Sequence, residues 1–265
     1  MRNLERRPAQ ALFTVAGLAL ATAILIIPNC FRDSITEILG FQWDVVQRQD
    51  MNLGLVEPAS VQVRDLLRQL PGVMVVEPFR FAPARLRFGQ RSRQLGIQGS
   101  PAITQHNRVV DAHYREIALP PEGLIVSAKL AEVLGARVGD ELTVEILEGR
   151  RPIRTVTLLG VSDDLTGIAA HMDMRALNRL LGEGDVMNGA SFTLDMAHRA
   201  EFLHALKGIP RISWVGIKES LRENFRQTTA ASIGLIQRIY LTFAIVVAIG
   251  VVYNNARIAL AERAR

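Results

Sequence analysis

The sequence predicts an α+β domain inserted between two transmembrane helices, and two observations support this fold class. Long apolar runs occupy residues 9–27 and 232–253 of the 265-residue chain. A hydrocarbon layer about 30 Å thick requires roughly 20 apolar helical residues, so both runs are close to the length of a membrane span. Between them, strand patterns and amphipathic helix patterns follow one another, which is typical of a globular α+β domain.

The distribution of charge predicts the orientation of these spans. Each flank outside the apolar runs, residues 1–8 and 254–265, holds three arginines and one glutamate and therefore carries a net charge of +2. Positive charge beside membrane helices marks the cytoplasmic side. We therefore expect both termini in the cytoplasm and the central domain, residues 31–217, on the outer side of the cell (inner) membrane. The flanks account for most of the formal net charge of +5, which argues against a nucleic-acid partner despite a pI near 10.0.

The first span, predicted over residues 9–30, is rich in small side chains. Gly17 and Ala21 have the small-xxx-small spacing that lets a second helix approach closely, and they are the candidate helix-packing residues. Glycine and alanine are also common in membrane helices generally, and the sequence does not decide between these explanations. Cys30, at the outer end of the span, is the single cysteine of the chain, which excludes an intramolecular disulfide.

The first part of the central domain predicts a β-α-β-β unit. A strand over 51–56 precedes a helix that Ser60 caps and that buries one face of apolar residues at helical spacing, namely Val63, Leu66, Leu67 and Leu70. The other elements of this unit are strands at 73–76, 84–88 and 93–98, the last two forming a hairpin around Gly89-Gln90.

The remainder of the domain predicts a second unit and a return to the first. Ser127 caps a helix that Gly135 ends, and another helix, 174–181, ends at Gly182. Strands are expected at 141–147, 153–161, 191–195 and 212–216, with a helix at 199–207. The strand at 191–195, the helix at 199–207 and the strand at 212–216 could return to the first unit. The domain would then have two lobes, the second formed by residues 100–183.

The second span is expected to continue outward as a stalk, so that residues 218–253 form one helix. A single stripe at helical spacing forms the predicted stalk seam of Leu221, Phe225, Ser232, Leu235 and Ile239. No proline occurs from residue 218 onward, and a helix satisfies its own backbone, so it can pass from water into lipid unchanged. The alternative is a loop followed by a separate span.

Arg238 is the one charged residue within the second apolar run. It lies 15 residues before Tyr253, which corresponds to about 22 Å of helix and places it near the outer boundary of the hydrocarbon. Its side chain can extend to the lipid headgroups, so we interpret Arg238 as a membrane-interface anchor. A switch buried within the membrane is the alternative.

The sequence offers no constellation for catalysis. It lacks the Gly-x-x-x-x-Gly-Lys-Ser/Thr loop that cradles nucleotide phosphates and the Gly-x-Ser-x-Gly setting of a nucleophilic serine. None of the five histidines forms the i, i+4 pair of a helical zinc site, and Asp163-Asp164 follow a strand where a solvated turn is expected. We therefore expect a protein that is not an enzyme, without catalytic, metal-binding or cofactor-binding residues.

Three stretches resemble one family of membrane proteins. They are Asn-Leu-Glu-Arg-Arg-Pro at 3–8, Leu-Gly-Ala-Arg-Val-Gly-Asp-Glu-Leu at 134–142, and Tyr-Asn-Asn-Ala-Arg-Ile-Ala-Leu-Ala-Glu-Arg at 253–263. With the order of spans and domain, they resemble the permease subunits of ABC transporters of the MacB/LolC/FtsX type over essentially the whole chain.

This resemblance implies an architecture and a set of partners. Such permeases have four spans, a large extracytoplasmic domain between the first two, and a coupling helix after the second span that touches a cytoplasmic ATPase. The chain ends at Arg265, where that helix would begin, so it is similar to the front half of a permease module. The implied partners are a cytoplasmic ABC ATPase subunit, the remaining permease spans or a second permease copy, and membrane lipid, without a cofactor.

Two other functions also fit two spans around an outer domain. A membrane sensor with an extracytoplasmic ligand-binding domain requires a cytoplasmic output module, and only residues 254–265 follow the second span. A membrane-anchored enzyme requires catalytic residues. The leading expectation is therefore a permease component that relays conformational change from an ATPase to the outer domain, in export, lipoprotein handling or mechanotransmission.

Overall fold

A computed structural model describes residues 15–16, 19, 22–23, 26, 30, 33–111, 113–163 and 167–263 of the chain. The chain divides into two compact units, one comprising Met1–Leu39 with Glu223–Arg265 and the other Gly40–Arg222. The described positions before residue 42 are helical. Gly17 and Ala21, the predicted helix-packing pair, lie outside the described residues.

The Gly40–Arg222 unit contains both strands and helices, which confirms the predicted α+β class. Within its described residues, the strands are β1 Met51–Ser60, β2 Val73–Phe88, β3 Arg91–Ser100, β4 Leu124–Ser127, β5 Glu141–Ile146, β6 Ile153–Ser162, β7 Ala170–Asp173, β8 Val186–Leu194 and β9 Ile212–Ile217. Its helices are α1 Val63–Leu67, α2 Ala128–Leu134, α3 Met174–Leu181 and α4 Arg199–Lys207, with a π-turn at Gln42–Val46 and a 3₁₀ turn at Met196–His198. A fifth helix, α5, spans Lys218–Arg263.

Four antiparallel strands form the first sheet, in the order β2-β8-β1-β9. Only the first half of β2 takes part, from Val73 opposite Leu194 to Phe79 opposite Gly189. One face of this sheet carries a hydrophobic cluster that includes Met51, Leu53, Phe192, Phe202 and Leu206. The strands β8 and β9 therefore pair with β1, although more than a hundred residues separate them from it in the chain.

The second half of β2 belongs to a different set of pairings. From Arg80 onward it pairs with β3, and from Ala84 also with β5. Further pairings of β5 with β6, β6 with β4, β4 with β7 and β7 with β3 close a cycle of six strands. A second hydrophobic cluster belongs to these strands and to α2 and α3, and its fully buried members include Leu86, Leu124, Leu142, Leu158 and Leu177.

The hairpin at Gly89-Gln90 is confirmed, but its strands lie in the second cluster. Phe88 pairs with Arg91 across the two-residue turn, and Gly89 has a φ of 56°, which favours glycine. Ala82, Ala84 and Leu86 are members of the second cluster. The unit expected at residues 100–183 therefore also includes residues 80–100, because the pairing partners of β2 change at Arg80.

Two further differences arise from long-range strand pairing. Strand β2 continues through Pro78, which pairs with β8 alone; proline is tolerated there because an edge position needs no second hydrogen bond. The short strands β4 and β7 were not predicted from the sequence. All four side chains of β4 are buried, so it has no alternating pattern and is recognisable only by its neighbours β6 and β7.

The first helix was predicted too long and with the wrong cap. Ser60 is the last residue of β1, where it pairs with Val186, and its hydroxyl accepts the backbone N–H of Gln62 at 3.3 Å; the N-cap of the helix is Gln62. Helix α1 has only five residues, with Leu67 buried and Leu66 66% exposed. Val63 and Leu70 pack beside Leu67, whereas Leu66 lies off this face.

The other predicted helix boundaries are confirmed. The Ser127 hydroxyl accepts a hydrogen bond from the backbone N–H of Leu130 at 3.3 Å and caps α2. Gly135 and Gly182 end α2 and α3 in the left-handed conformation. Helix α4 has the predicted bounds.

Candidate functional site

The start of α5 is set directly by the first sheet. Strand β9 ends at Ile217, which pairs with Met51 of β1, and α5 begins at the next residue, Lys218. No loop separates strand from helix, so the first turn of α5 is positioned by the hydrogen bonds of the sheet.

Lys218 binds this first turn to the chain that leads into the domain. We name residues 42–50 the leading segment. The backbone N–H of Lys218 donates to the Asp50 carbonyl at 3.0 Å, and its ammonium donates to the Gln47 carbonyl at 3.0 Å. The Asp50 carboxylate in turn accepts the backbone N–H of Leu194 at 2.9 Å. The leading segment, α5 and β8 are therefore connected through Lys218 and Asp50.

An ion pair extends this connection by one turn of helix. Arg222 Nη1 lies 3.3 Å from Asp44 Oδ1, within the π-turn whose Gln42 and Val46 side chains are buried. Both charged groups are about half exposed, so the pair itself contributes little free energy. Its role is positional, because the first turns of α5 contact the leading segment both at Lys218 and at Arg222.

Helix α5 contains the segment of the chain that fits a membrane. Among the described residues, one helical stretch, Lys218–Gly250, is long and apolar enough to cross a bilayer. Leu221, Phe225, Leu235 and Ile239 of the predicted seam are each about half exposed, and the side chain of Ser232 lies outside the described part. The Arg238 side chain is also exposed, and its depth in a membrane stays a prediction.

A buried arginine marks the residue at which β2 changes partners. Arg80 is 1% exposed. Its guanidinium donates to Glu183 at 3.0 and 3.1 Å, to Glu148 at 2.6 Å and to the Phe81 carbonyl at 2.8 Å. The two carboxylate side chains are each 31% exposed, so they retain contact with water while the arginine has none.

Asn188 continues the strand pairing across the same point. The last pair between β2 and β8 is Phe79 with Gly189. Beyond it, the Asn188 amide accepts the N–H of Phe81 and donates to its carbonyl, both at 2.7 Å, as a backbone peptide would. Arg80 and Asn188 together therefore fix the two halves of β2 at one junction.

The local sequence patterns did not point to this junction. A usable signal was present, because Arg80 occupies the same alternating register as Ala82, Ala84 and Leu86, which all point to the second cluster. A charged residue in a buried register requires partners, but the sequence could not identify Glu148 and Glu183, which lie 68 and 103 residues away.

A buried polar side chain, that of His106 in the connection between β3 and β4, lies against the opposite face of the first sheet. Its Nε2 is hydrogen-bonded to the Thr193 hydroxyl at 2.9 Å, and its Nδ1 lies 3.8 Å from a carboxylate oxygen of Glu77. Burial lowers the pKa of His106 below its ordinary value of 6.5, and the charges of Glu77 and Asp50 and a backbone group of Ser191 oppose this effect. The neutral imidazole is therefore the favoured form in the folded domain.

Two further acidic groups, Asp111 and Asp195, accept hydrogen bonds from their own loops. Backbone N–H groups, first that of Arg115, hold the pKa of Asp111 below its usual value, and the N–H of Ala197 does the same for Asp195. Within the described residues, no group of three histidine, cysteine or acidic side chains could hold a metal ion. Of the two acidic residues expected in a turn, Asp163 donates its backbone N–H to the Val110 carbonyl, and Asp164 lies outside the described part.

Comparisons with known proteins find similarity only at the level of structure. No protein-family model matches the chain, and no curated protein matches it. It is similar to the periplasmic region of MacB from Actinobacillus actinomycetemcomitans, with 11% identity and a TM-score of 0.45 over 72% of this chain and 98% of that one. It is also similar to the extracellular domain of the ABC-type transporter YknZ from Gram-positive bacteria, with 14% identity and a TM-score of 0.43 over 61% and 94%.

Proposed function

We propose that the chain is a permease component of an ABC transporter that relays conformational change between a cytoplasmic ATPase and an extracytoplasmic domain. The observation that carries this proposal is the direct joining of β9 to α5, with Lys218 and Arg222 binding the first turns of the helix to the leading segment. A displacement of the helix would reach the sheet without a flexible loop in between. The three stretches at 3–8, 134–142 and 253–263 support the same family.

The proposed topology has two spans in the cell (inner) membrane and both termini in the cytoplasm. The first span includes the helical positions before residue 31, where Gly17 and Ala21 would contact a neighbouring helix. In α5, Arg238 would lie at the outer headgroups, and the central domain would lie in the periplasm or its equivalent. Exposed apolar side chains between Leu235 and Ile249 fit a lipid environment and further helices.

The proposed mechanism treats the outer part of α5 as a lever. The seam of Leu221, Phe225, Ser232, Leu235 and Ile239 would face the remaining permease spans or a second permease copy. The two hydrophobic clusters would act as two lobes, with Arg80 and Asn188 transmitting movement from one to the other. The chain itself would hydrolyse nothing, because the ATPase subunit supplies the energy.

Capture of the partner from the native membrane tests this function. The full chain with an affinity tag would be purified in mild detergent after cross-linking, and co-purifying proteins identified by mass spectrometry. We expect an ATPase with a phosphate-binding loop. Arg257→Glu on the cytoplasmic flank should weaken the capture, whereas the matched change Arg238→Gln on the opposite side should not. A captured kinase would instead support the sensor function, and capture of neither would contradict the proposal.

Spin labels introduced one at a time from Glu219 to Ile236, after Cys30→Ser, test the lever. We expect mobility and accessibility to vary with a period of about 3.6 residues across Thr228-Thr229. Insertion of Gly-Gly after Thr229 should interrupt this period, whereas the same insertion after Gly149, in the exposed β5–β6 turn, should leave it intact. Uniformly mobile sites around Thr228 in the parent chain would contradict a continuous lever.

A further inference from the structure

The connection between β3 and β4 forms a loop closed at its neck. We name its residues 101–119 the strap. Residue 112 lies outside the described part, and the other residues of the strap form no helix or strand, only isolated bridges. The backbone N–H of Leu119 donates to the Ala102 carbonyl at 3.0 Å, so the two ends of the strap meet. This is the arrangement of a compact loop whose two ends lie close together.

The tip of the strap, residues 104–108, is paired with the leading segment. Asn107 bridges Gln47 in antiparallel fashion. The N–H of Arg48 donates to the His106 carbonyl at 2.8 Å, and the N–H of Arg108 donates to the Val46 carbonyl at 3.0 Å. Because the Gln47 carbonyl also accepts the ammonium of Lys218, the tip contacts the segment that holds the start of α5.

The underside of the tip is held on the first sheet by polar groups. The Glu77 carboxylate accepts the Thr104 hydroxyl at 2.5 Å and the backbone N–H groups of Gln105 and His106 at 2.7 and 3.2 Å. His106 adds its hydrogen bond to Thr193. On the side of the sheet, the tip is therefore held by one carboxylate and one imidazole rather than by a hydrophobic cluster.

Hydrogen bonding around the tip is incomplete. Three buried acceptor-capable atoms have no hydrogen-bond partner among the described residues, namely Gln49 Oε1, Asn52 Oδ1 and His106 Nδ1. Buried polar atoms normally have partners, and an unpaired one costs free energy that contact with water recovers. Gln49 belongs to the leading segment, and Asn52 pairs with Ser191 on the strand that also carries Thr193. A state in which the tip has lifted gives such atoms access to water.

The root of the strap is held differently from its tip. Val109, Ile117 and Leu119 form a small hydrophobic cluster with Ile125 of β4. The N–H of Ile117 also donates to the Val109 carbonyl at 2.8 Å, and the N–H of Asp163 donates to that of Val110 at 2.9 Å. The root is therefore fixed to β4 by apolar contact within this small cluster, while the tip is fixed to the first sheet by polar contact.

We propose that residues 104–108 are a detachable tip that lifts from the first sheet when His106 is protonated, which uncouples the leading segment from the strap root. In the closed state His106 is buried, so a proton on the ring is favoured only after the tip has opened to water. The charged groups that face the ring are Glu77 from β2 and Asp50 from the leading segment, and β8 contributes the neutral Ser191 and Thr193. This inference concerns the fold of the domain and does not depend on the proposed function.

A fall in pH should shift the equilibrium of the tip towards its open state. An imidazole whose pKa is lower in the closed state than in water binds its proton preferentially in the open state. Lowering the pH through the ordinary value of 6.5 therefore shifts the equilibrium towards opening. A cleft of about 270 Å³ lies beside Gln105 and is lined also by Arg68 and Met74.

Hydrogen exchange of the full chain in nanodiscs tests the proposal. Corrected for intrinsic rates, the amides of Arg48, Gln105, His106 and Arg108 should exchange at least about 100-fold faster than those of β8, because they open without global unfolding. Lowering the pH from about 7.5 to about 5.5 should increase their opening further. Equal protection of the tip and of β8 would overturn the proposal.

Two variants separate the lifting from its pH dependence. His106→Gln keeps a polar side chain that cannot be protonated, and it should abolish the pH dependence of opening; His204→Gln, at an exposed histidine on α4, is the matched control and should preserve it. Unchanged pH dependence in His106→Gln would overturn the role of His106.

A disulfide provides a test that does not depend on the stability of that variant. Gln47 and Asn107 form a non-hydrogen-bonded antiparallel pair, the geometry with the shortest separation between facing residues. In a Cys30→Ser background, Gln47→Cys with Asn107→Cys should form a disulfide and slow exchange of Gln105 and His106 by at least about 10-fold, reversibly on reduction. A disulfide that forms without slowing this exchange would contradict lifting of the tip.

Discussion

The two faces of the first sheet are made by the same strands but are held in different ways. One face presents Met51, Leu53 and Phe192, which pack with helices α1 and α4 in a hydrophobic cluster. The opposite face presents alternate residues of the same strands, including Asn52 and Thr193, to the polar tip of the strap. Strand alternation thus gives one sheet an apolar face that packs on helices and a polar face that binds the strap through hydrogen bonds.

This difference shows where movement is expected in the domain. Apolar contacts are non-directional, and their contribution grows with the area buried. Hydrogen bonds to a carboxylate or an imidazole require one protonation state and compete with water. Movement that leaves the domain folded should therefore begin on the polar face. Substitutions on the apolar face, at the β2 junction, at His106 and at the start of α5 test this difference.

The largest expected effect on stability comes from removing a buried aromatic side chain from the apolar face. Phe192 is fully buried and packs edge-on against Phe202, with ring centroids 5.3 Å apart. Phe192→Ala should lower the free energy of unfolding by about 3–5 kcal/mol, through lost burial and the cavity left behind. The measurement is denaturant unfolding of residues 42–224, which we expect to fold alone, as circular dichroism would show. Met74→Ala, at an exposed residue, should cost under about 0.5 kcal/mol; comparable losses for the two variants would contradict this account.

The second effect concerns the junction in β2. Arg80→Met should lower the free energy of unfolding by about 2–4 kcal/mol, because Glu148 and Glu183 lose their buried partner while remaining partly solvated. Arg85→Met is a matched control on the same strand, since the Arg85–Glu145 pair is partly exposed and should contribute under about 1 kcal/mol. Chemical denaturation compares the two variants. A loss of stability in Arg80→Met no larger than that in the control would contradict a stabilising role of Arg80 at the junction.

The third effect isolates the polar face by pH. Because the pKa of His106 is lowered in the folded domain, the unfolded chain binds the proton more readily, so stability present above pH 6.5 is lost as the pH falls below it. Each unit of pKa depression corresponds to about 1.4 kcal/mol. Urea midpoints measured from about pH 7.5 to 5 should decline in the parent and decline less in His106→Gln. The pKa values of Asp111 and Asp195 are lowered from 3.8, so their contributions are lost only at more acid pH.

The smallest expected effect lies at the start of α5. Asp44→Asn and Arg222→Gln should each change the free energy of unfolding by under about 1 kcal/mol, with a coupling of about 0.5 kcal/mol in a double-mutant cycle, because the pair is exposed. High salt should reduce this coupling. A coupling of several kcal/mol would mean that the start of α5 is held mainly by this pair rather than by the backbone bonds of Lys218.

Part of the candidate site could be anticipated from the sequence and part could not. The boundary at Lys218 follows a strand pattern and precedes a long run without proline, so the start of α5 was locally visible. The partners of Lys218 were not, because they are the carbonyls of Gln47 and Asp50, which carry no sequence signal. The sequence favoured a surface or hydrogen-bonded histidine over a zinc ligand at His106, and it could not identify the partners Glu77 and Thr193, which come from two distant strands.

By itself, the sequence determined the class of the domain and most of its element boundaries. A serine cap, a left-handed glycine and a two-residue turn act within a few residues of the chain, as at Ser127, Gly135 and Gly89. Only the tertiary structure decided that β2 serves two sets of strands, that β4 and β7 exist, and that Arg80 is buried. Those outcomes depend on pairing and burial between residues far apart in the chain, and their free energy arises only when both partners are in place.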